Sequence, residues 1–569
     1  MSRGVTEISA KHLKSFGGRA RTDWHHPERT AWYVYDWASQ VYSAMAITFF
    51  MPLLMLSMAQ MAALDKPVVT CAGANVTCSA RSCLLPNQSV APMPCKHCML
   101  GDGNKYWNPE TQQLDSPPSG RGLYFFGEVG PFNFTTRVLS FSVLLQTVIF
   151  ISLGAIADFG KWRYRLLLAS TVMGTLSTMS ILFVTDHSQY QTLGALVMIS
   201  NAMYGVAMVF YNAYLPVLVD SHEDVVESGN NFLVRDEVLN FISSAGSLMG
   251  YASSVIMAII VLTLLFVTKG SVDDKYRLCI FCAGFWWALW SIWSFCRLQT
   301  HEEVSRKPHA NEWIIFAGWA SFFNKLSEIR RYPQTFKFLV AWFVYSDTYS
   351  TIASVGILVL QDRLCMGGFQ IALLLLEVLS CAALGNYLTF RAQRKWQLTT
   401  KFMICLLLGV YLLIAVMMMI GISDAPIGLK NTFEAYIFAC VHGCAIGSIQ
   451  AYSRSLMADL TVHGKETEWF ALFEITDKGS SWMGPLIVGE IYSATKNFNI
   501  AFIPLFVSCL LSFPLVLWVD REQGMIDSGR SQKPEGGVDT LSAQELELVT
   551  IPPAAAGEEY AVLVTAQRN

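Results

Sequence analysis

Apolar residues in this chain gather into runs of about the length a helix needs to cross a bilayer, each closed by polar or charged positions. The least interrupted are Leu166–Val184, Ser254–Val267, Phe402–Ile420 and Ala501–Val519. Followed along the chain, the pattern predicts twelve spans, near 33–62, 135–157, 166–184, 191–218, 240–267, 276–296, 336–360, 368–390, 400–421, 433–452, 468–493 and 500–519. The expected fold class is an all-α integral membrane protein of twelve transmembrane helices in two six-helix bundles. The bundles cover 32–297 and 336–520, separated by a cytosolic central linker, 298–335. A basic N-terminal arm, 1–31, and a disordered tail, 521–569, complete the predicted organisation. Within the linker, Trp313, Phe316, Ala320, Phe323 and Leu326 recur at helical spacing, which predicts an amphipathic helix over 311–329 lying at the membrane surface.

Charge then orients the spans. The N-terminal arm carries Arg3, Lys11, Lys14, Arg19, Arg21 and Arg29 with no cleavable signal peptide in view, so the N-terminus is expected in the cytosol. Short loops on that side hold Lys161, Arg163 and Arg165, then Arg391, Arg394 and Lys395, while the opposite loops hold few cations. Both termini are therefore expected to be cytosolic. The long loop 63–134 falls on the far side, and its content agrees. It carries Cys71, Cys78, Cys83, Cys95 and Cys98, together with glycosylation sequons at Asn75, Asn87 and Asn133. This combination points to disulfides in an oxidising compartment. A zinc reading competes, because Cys95-Lys-His-Cys98 has ligand-like spacing.

Composition narrows the class. A chain of 569 residues that is 53% hydrophobic and only 15% charged is too apolar for a soluble enzyme. A phosphate loop, an HExxH zinc motif and a nucleophile with a placed base are all missing from the sequence, and no cofactor is expected. The net charge of −3 gives no sign of nucleic-acid binding. Near the end, Tyr560-Ala-Val-Leu563 matches the pattern of tyrosine-based sorting signals, which makes a sorting adaptor a candidate partner beside membrane lipid and a small-molecule substrate.

Polar residues at membrane depth carry the candidate chemistry, because charge there is costly unless paired or placed on a water-filled path. The stretch Gly443–Gly489 concentrates them: Gln450 and Arg454 on one face of the tenth span, then Glu474, Asp477 and Lys478 in the eleventh, followed by Gly484-Pro485. In the first span Asp36, Gln40 and Ser43 share a face, with Tyr35, Ser39 and Tyr42 beside it. An acid among hydroxyls suits an ammonium or a proton, with pairing of Asp36 to a basic loop at the cytosolic boundary as the alternative, and Arg454 suits a carboxylate. Arg454 pairing with a loop acid such as Asp459 is the structural alternative. Glu474 and Lys478, at i, i+4, are expected to form an internal ion pair that works as a gate. Asp347 and Glu377 are isolated acids and candidate proton carriers. Asn212 lies at the mouth of the fourth span. His442 and the tryptophans Trp286, Trp287, Trp290 and Trp293 are expected to be structural, the tryptophans as a stripe at the interface or facing lipid.

Six helices plus six around a central linker resemble the major facilitator superfamily. The run Gly154-Ala-Ile-Ala-Asp158-Phe-Gly160-Lys161-Trp-Arg163 is similar to that superfamily's gating-loop motif, with the second glycine one residue early. In the second half the matching stretch, Gly385–Lys395, has Thr389 where an acid belongs. Three further stretches, Trp32–Tyr42 with Ile47–Pro52, Tyr211–Pro216, and Gln450–Ser455 with Glu468–Phe473, resemble the vacuole effluxers similar to autophagy-related protein 22. The resemblance implies export of neutral amino acids from a vacuole or lysosome to the cytosol by alternating access, with proton coupling as an option. A proton-linked sugar or organic-acid carrier at the plasma membrane and a non-transporting receptor or scaffold are the alternatives.

Overall fold

The computed structural model describes residues 26–63, 131–158, 161–229, 231–298, 327–364, 368–421, 431–481, 483–495 and 498–530, with short pieces within 77–129 and near 318–323, 366 and 428–429. Cys71, Cys95, Cys98, Asn75, Asn87, Gly160, most of the 311–329 helix and the 560–563 pattern lie outside the described residues, as does the side chain of Asn133. The described helices belong to one unit that ends at Ser531.

Helices account for almost all of it. In chain order they are α1 (27–63), α2 (Pro131–Ala157), α3 (Trp162–Ser180), α4 (Tyr190–Asp220), α5 (Phe232–Val267) and α6 (Val272–Phe295) in the first half. The second half has α7 (Pro333–Leu364), α8 (Gly368–Trp396), α9 (Thr400–Ile420), α10 (Thr432–Leu460), α11 (Glu466–Ser480), α12 (Met483–Thr495), α13 (Ile503–Trp518) and the short α14 (Arg521–Asp527). Ten helices among the described residues are long and apolar enough to cross a membrane. The seventh and eleventh expected spans fall on helices outside that ten, α7 and the α11–α12 pair. α7 carries the half-buried Asp347 and α11 the buried Glu466, and the second span is broken. Three two-stranded pairs in the long loop are the β structure among the described residues, and in one of them Cys78 and Cys83 are register partners.

Two departures from uninterrupted helices matter for the site. In α1, Tyr42–Phe50 winds as a π-helix between two α-helical stretches. Thr48 supports this by donating its hydroxyl to the Ser43 carbonyl five residues back at 2.8 Å. Wide turns of this kind recur at functional sites. The expected eleventh span breaks between Ser480 and Met483, because Pro485 lacks the amide that a continuous helix would need. The freed amide of Gly484 donates to Asp347 on α7 at 3.2 Å. A Cβ on Gly484 would overlap the Thr351 hydroxyl, so only glycine allows α12 to come this close to α7.

The halves meet along two seams. On one, α5 packs against α8 and α10; on the other, α11 packs against α2 and α4. Of the tryptophan stripe of α6, Trp287 is turned inward, contrary to expectation, while Trp286, Trp290 and Trp293 are half-buried. Trp287 is fully buried and stacks on Tyr42 at 4.7 Å, and Trp286 donates its indole N–H to the Trp37 carbonyl. Burying these large rings against α1 removes more apolar area from water than leaving them at an interface would.

Candidate functional site

Small residues on α10 (Gly443, Ala445, Gly447, Ser448, Ala451 and Ser453) let this helix approach α5 and α8 closely, as is common between membrane helices. Ser243 of α5 donates to the Ala451 carbonyl at 2.8 Å, which fixes the register. One turn on, Arg454 enters the seam between the halves. Its guanidinium donates to the Ser243 carbonyl at 2.8 Å, the Ser247 hydroxyl at 3.0 Å and the Ser243 hydroxyl at 3.1 Å. It also lies over the rings of Trp32, at 4.9 Å, and Tyr211, at 5.8 Å. Its remaining edge faces Asp36 Oδ2 at 3.4 Å and Asn212 Oδ1 at 3.5 Å. Charge-assisted hydrogen bonds normally close to about 2.7–2.9 Å, so this edge is the slack one. Asn212 also donates to Glu474 Oε1 at 3.2 Å, which ties α11 to the cluster.

The sequence-predicted pairing of Glu474 with Lys478 is replaced by other contacts. Lys478 binds its neighbour Asp477 at 3.1 Å, and Glu474 takes the Asn212 amide. Asp459 does not pair with Arg454; it serves the charged cluster described below.

Beside Arg454 lies a cavity of about 260 Å³. Its polar lining is Gln40, Ser43, Thr48, Tyr251, His442 and Gln450, and the rest is apolar, from Ile352 and Leu360 of α7 to Ile414 and Met418 of α9. The π-helical stretch of α1 forms one wall. Tyr251 donates to Gln450 Oε1 at 2.9 Å across the seam. Gly246 and Gly250 of α5 press against Trp32, Asp36 and Gln40; Gln40 lines the cavity, whereas Asp36 and Arg454, one turn beyond Gln40 and Gln450, are not among its lining residues. The chain directions of α1, α7, α9 and α10 place the cavity on the side of Asp36 and Arg454 away from the charged cluster that closes the other end.

That cluster begins with Asp158, just after α2. It accepts from Arg163 at 2.8 Å, from the Thr467 amide at 2.9 Å and from the Glu468 amide at 3.1 Å. An acid from the first half thus satisfies amides that the first turn of α11 leaves open. Arg163 continues to the Thr467 hydroxyl at 3.1 Å and Glu466 at 3.3 Å. Gly154 packs on Ala471, and Lys161 is exposed at the start of α3.

The sequence reading did not anticipate what joins this lock. Asp459, fully buried on α10, accepts from Arg235 of α5 at 3.2 Å and from Arg521 at 2.7 Å. Arg521 also pairs with Asp236 at 2.7 Å. Arg530 bridges Asp220 of α4 and Glu466, the latter at 2.8 Å. Residues 521–530 were expected in a disordered tail; instead they fold as α14 plus a buried arginine. The missed signal was Arg521 directly after the last span and Arg530 nine residues on, within reach of Asp220, Asp236 and Asp459 at the ends of α4, α5 and α10.

Other predicted residues lie elsewhere. Tyr42 turns into the first half, onto Ser200. Asp347 holds the start of α12 and also accepts from the Thr351 hydroxyl at 3.3 Å. Glu377 is half-buried on α8 and does not line the cavity. His442, expected to be structural, lines the cavity against the edge of Tyr411.

Comparison with known proteins follows from this architecture. The human organic anion transporter MFSD10 (TETRAN) superposes with a TM-score of 0.55 at 14% identity, covering 86% of this chain and 99% of that one. The major facilitator superfamily transporter FucP in the outward conformation gives 0.50 at 13% identity over 70% and 91%. Autophagy-related protein 22 of Kluyveromyces lactis is 31% identical over 69% of this chain and 80% of its own length. Its Saccharomyces cerevisiae counterpart is 28% identical over 87% and 91%. The model of the family described as "Vacuole effluxer Atg22 like" matches residues 25–529. With a major facilitator fold and a family match over nearly all of its described helices, the chain belongs to the Atg22-like vacuole effluxers, which are membrane transporters and not enzymes.

Proposed function

We propose that the protein exports neutral amino acids from a vacuolar or lysosomal lumen to the cytosol by alternating access. The observation that carries this is the slack edge of Arg454 facing Asp36, one helical turn beyond Gln450 and Gln40, which line a mostly apolar cavity of about 260 Å³. A zwitterion inserts with its carboxylate on Arg454 and its ammonium on Asp36, replacing one long ion pair with two short ones. Its side chain then occupies the apolar remainder, which favours leucine-like and aromatic residues over charged ones. Gln40 and Gln450 supply neutral hydrogen bonds beside it.

With both termini in the cytosol, the Asp158 cluster is the cytosolic gate, here shut, and the cavity is the luminal loading site. Opening requires α2 and α4 to part from α11 as the halves rock about the central site. Proton coupling, if present, has Asp36 as its best-placed carrier, because Asp347 is committed to the start of α12 and Glu377 lies off the cavity.

Efflux of labelled leucine, tyrosine, glutamate and glucose from proteoliposomes, with and without an acidic interior, tests the reading. Leucine and tyrosine efflux that is weakened in Asp36→Asn supports it. Movement of glucose alone, or of glutamate in preference to leucine, overturns it.

A further inference from the structure

Away from the cavity lining and the gate, α8 and α10 bring three thiols together. Cys381 of α8 and Cys440 and Cys444 of α10 have their sulfurs all within 4.8 Å of one another, and Cys381 Sγ lies 3.2 Å from Cys440 Sγ. All three are free, half-buried cysteines. The helices are forced close at this level by glycine. A Cβ on Gly443 would lie 2.9 Å from the Cys381 Cβ, and one on Gly385 would lie 2.4 Å from the Cys444 backbone. One turn before Cys381, Glu377 keeps its Oε2 buried with no hydrogen-bond partner among the described residues.

We propose that Cys381, Cys440 and Cys444 form a binding site for a soft, thiophilic cation, Cu(I). Metal–sulfur bonds of about 2.3 Å place the sulfurs of a three-coordinate centre about 4 Å apart, a spacing that thiols within 4.8 Å reach by side-chain rotation alone. Sulfur donors select Cu(I) over hard cations, and three of them, with no further His, Cys, Asp or Glu grouped with them among the described residues, fit a trigonal centre better than tetrahedral zinc. The apolar surroundings of two membrane helices shield Cu(I) from water. Binding forms Cu–S bonds at the expense of S–H bonds. Cu(I) forms three Cu–S bonds: two of the thiols give up their S–H protons to solvent and the third coordinates as the neutral thiol. Because α8 and α10 belong to the same half, the site clips that half together in every access state.

The test is copper retention. Purified full-length protein, reduced and kept anaerobic, is titrated with Cu(I) buffered by bicinchoninate, alongside a Cys381→Ser/Cys440→Ser/Cys444→Ser variant shown to be folded and active in efflux. The other cysteines are common to both proteins, so the difference between them reports this site. The expected result is one more equivalent of Cu(I) on the wild type, with thiolate-to-copper charge-transfer absorption absent from the variant. A single Cys440→Ser change weakens retention by at least 10-fold, since it removes one of three ligands. Equal copper counts in the two proteins overturn the proposal. So does retention of Zn(II) with no extra Cu(I), and so does a Cys381–Cys440 disulfide in unreduced protein whose reduced form holds no additional copper.

Discussion

Asp158 accepts the backbone amide of Thr467 at 2.9 Å, joining positions 309 apart in the chain and on opposite halves of the transporter. It is a helix cap made across a moving seam, so its loss acts on the gate before it acts on the fold. Asp158→Ala is expected to remove about 1–2 kcal/mol from the closed state, the usual worth of such a cap, and to raise the frequency of gate opening by roughly 5- to 30-fold. Amide hydrogen exchange across 464–472 measures this, because those amides become free when α11 leaves α2. Asp158→Asn keeps an acceptor oxygen and is expected to lose less. Unchanged exchange in Asp158→Ala would show that the cap is not part of the gate.

Arg530 is held by Asp220 and Glu466, and its removal leaves the buried Glu466 and the half-buried Asp220 with fewer partners. Breaking one side of a buried ion pair typically costs about 3–5 kcal/mol. Arg530→Ala is expected near the lower end, because Arg235 still serves Asp220 and Arg163 still serves Glu466. The thermal midpoint of purified protein should fall clearly in Arg530→Ala, and Arg530→Met with Glu466→Gln should recover part of the loss by removing the unpaired charge. A midpoint equal to wild type in Arg530→Ala would mean the segment after α14 is not part of the lock.

The same cluster responds to pH. His463 Nδ1 lies 3.6 Å from Glu466 Oε1. The Glu466 carboxylate beside it raises the imidazole pKa above its ordinary value, with Asp220 adding to the rise and partial burial and Arg530 opposing it. A raised histidine stabilises the folded, locked form below about pH 6.5, and that contribution is lost as pH climbs through the raised value. Burial pushes the Glu466 carboxyl up, but His463, Arg530 and Arg163 outweigh it and hold it well below the usual carboxylate range. Its contribution is therefore lost only in strong acid. Between pH 6 and 8.5 the gate is expected to loosen as pH rises, by a small amount because His463 is largely exposed. Hydrogen exchange at the start of α11 followed against pH checks it, and His463→Gln should flatten the curve. An equally sloped curve in that variant would assign the effect elsewhere.

Much of the architecture was legible because hydropathy over about 20 residues is a local property. The Gly154–Arg163 motif was legible for a similar reason, since Asp158 and Arg163 stand five residues apart and bond to each other. The partners of Asp459 were not, because Arg235 and Arg521 come from distant helices and each reads alone as an ordinary charge at the end of a span. Local spacing also misled. Glu474 and Lys478 have the separation of a helical ion pair, yet Asn212 from the other half offers Glu474 an amide while Asp477 takes the ammonium. The π-helical stretch of α1 had no sequence signal beyond Thr48, whose hydroxyl bond to the Ser43 carbonyl spans five residues where an α-helix would use four.

The sharpest test of the binding mode lies in Arg454 itself. Three of its donor contacts, to the Ser243 carbonyl and hydroxyl and the Ser247 hydroxyl, fix the plane of the guanidinium, and only the edge toward Asp36 and Asn212 is left for a substrate. A lysine keeps the charge but has no planar fork, so it cannot hold Ser243 and a carboxylate together. Arg454→Lys is therefore expected to fold normally and to raise the KM for leucine efflux by roughly 10- to 100-fold, the equivalent of losing about 1.5–3 kcal/mol from a hydrogen bond to a charged group. Asp36→Asn removes the ammonium partner and should cost a similar factor. In the double variant Asp36→Asn/Arg454→Lys the two losses should fall short of additive, because both residues grip one zwitterion and each single change already weakens the other's hold. Strictly additive losses, or an unchanged KM in Arg454→Lys, would move the substrate site away from this pair and toward Gln450 and His442 deeper in the cavity.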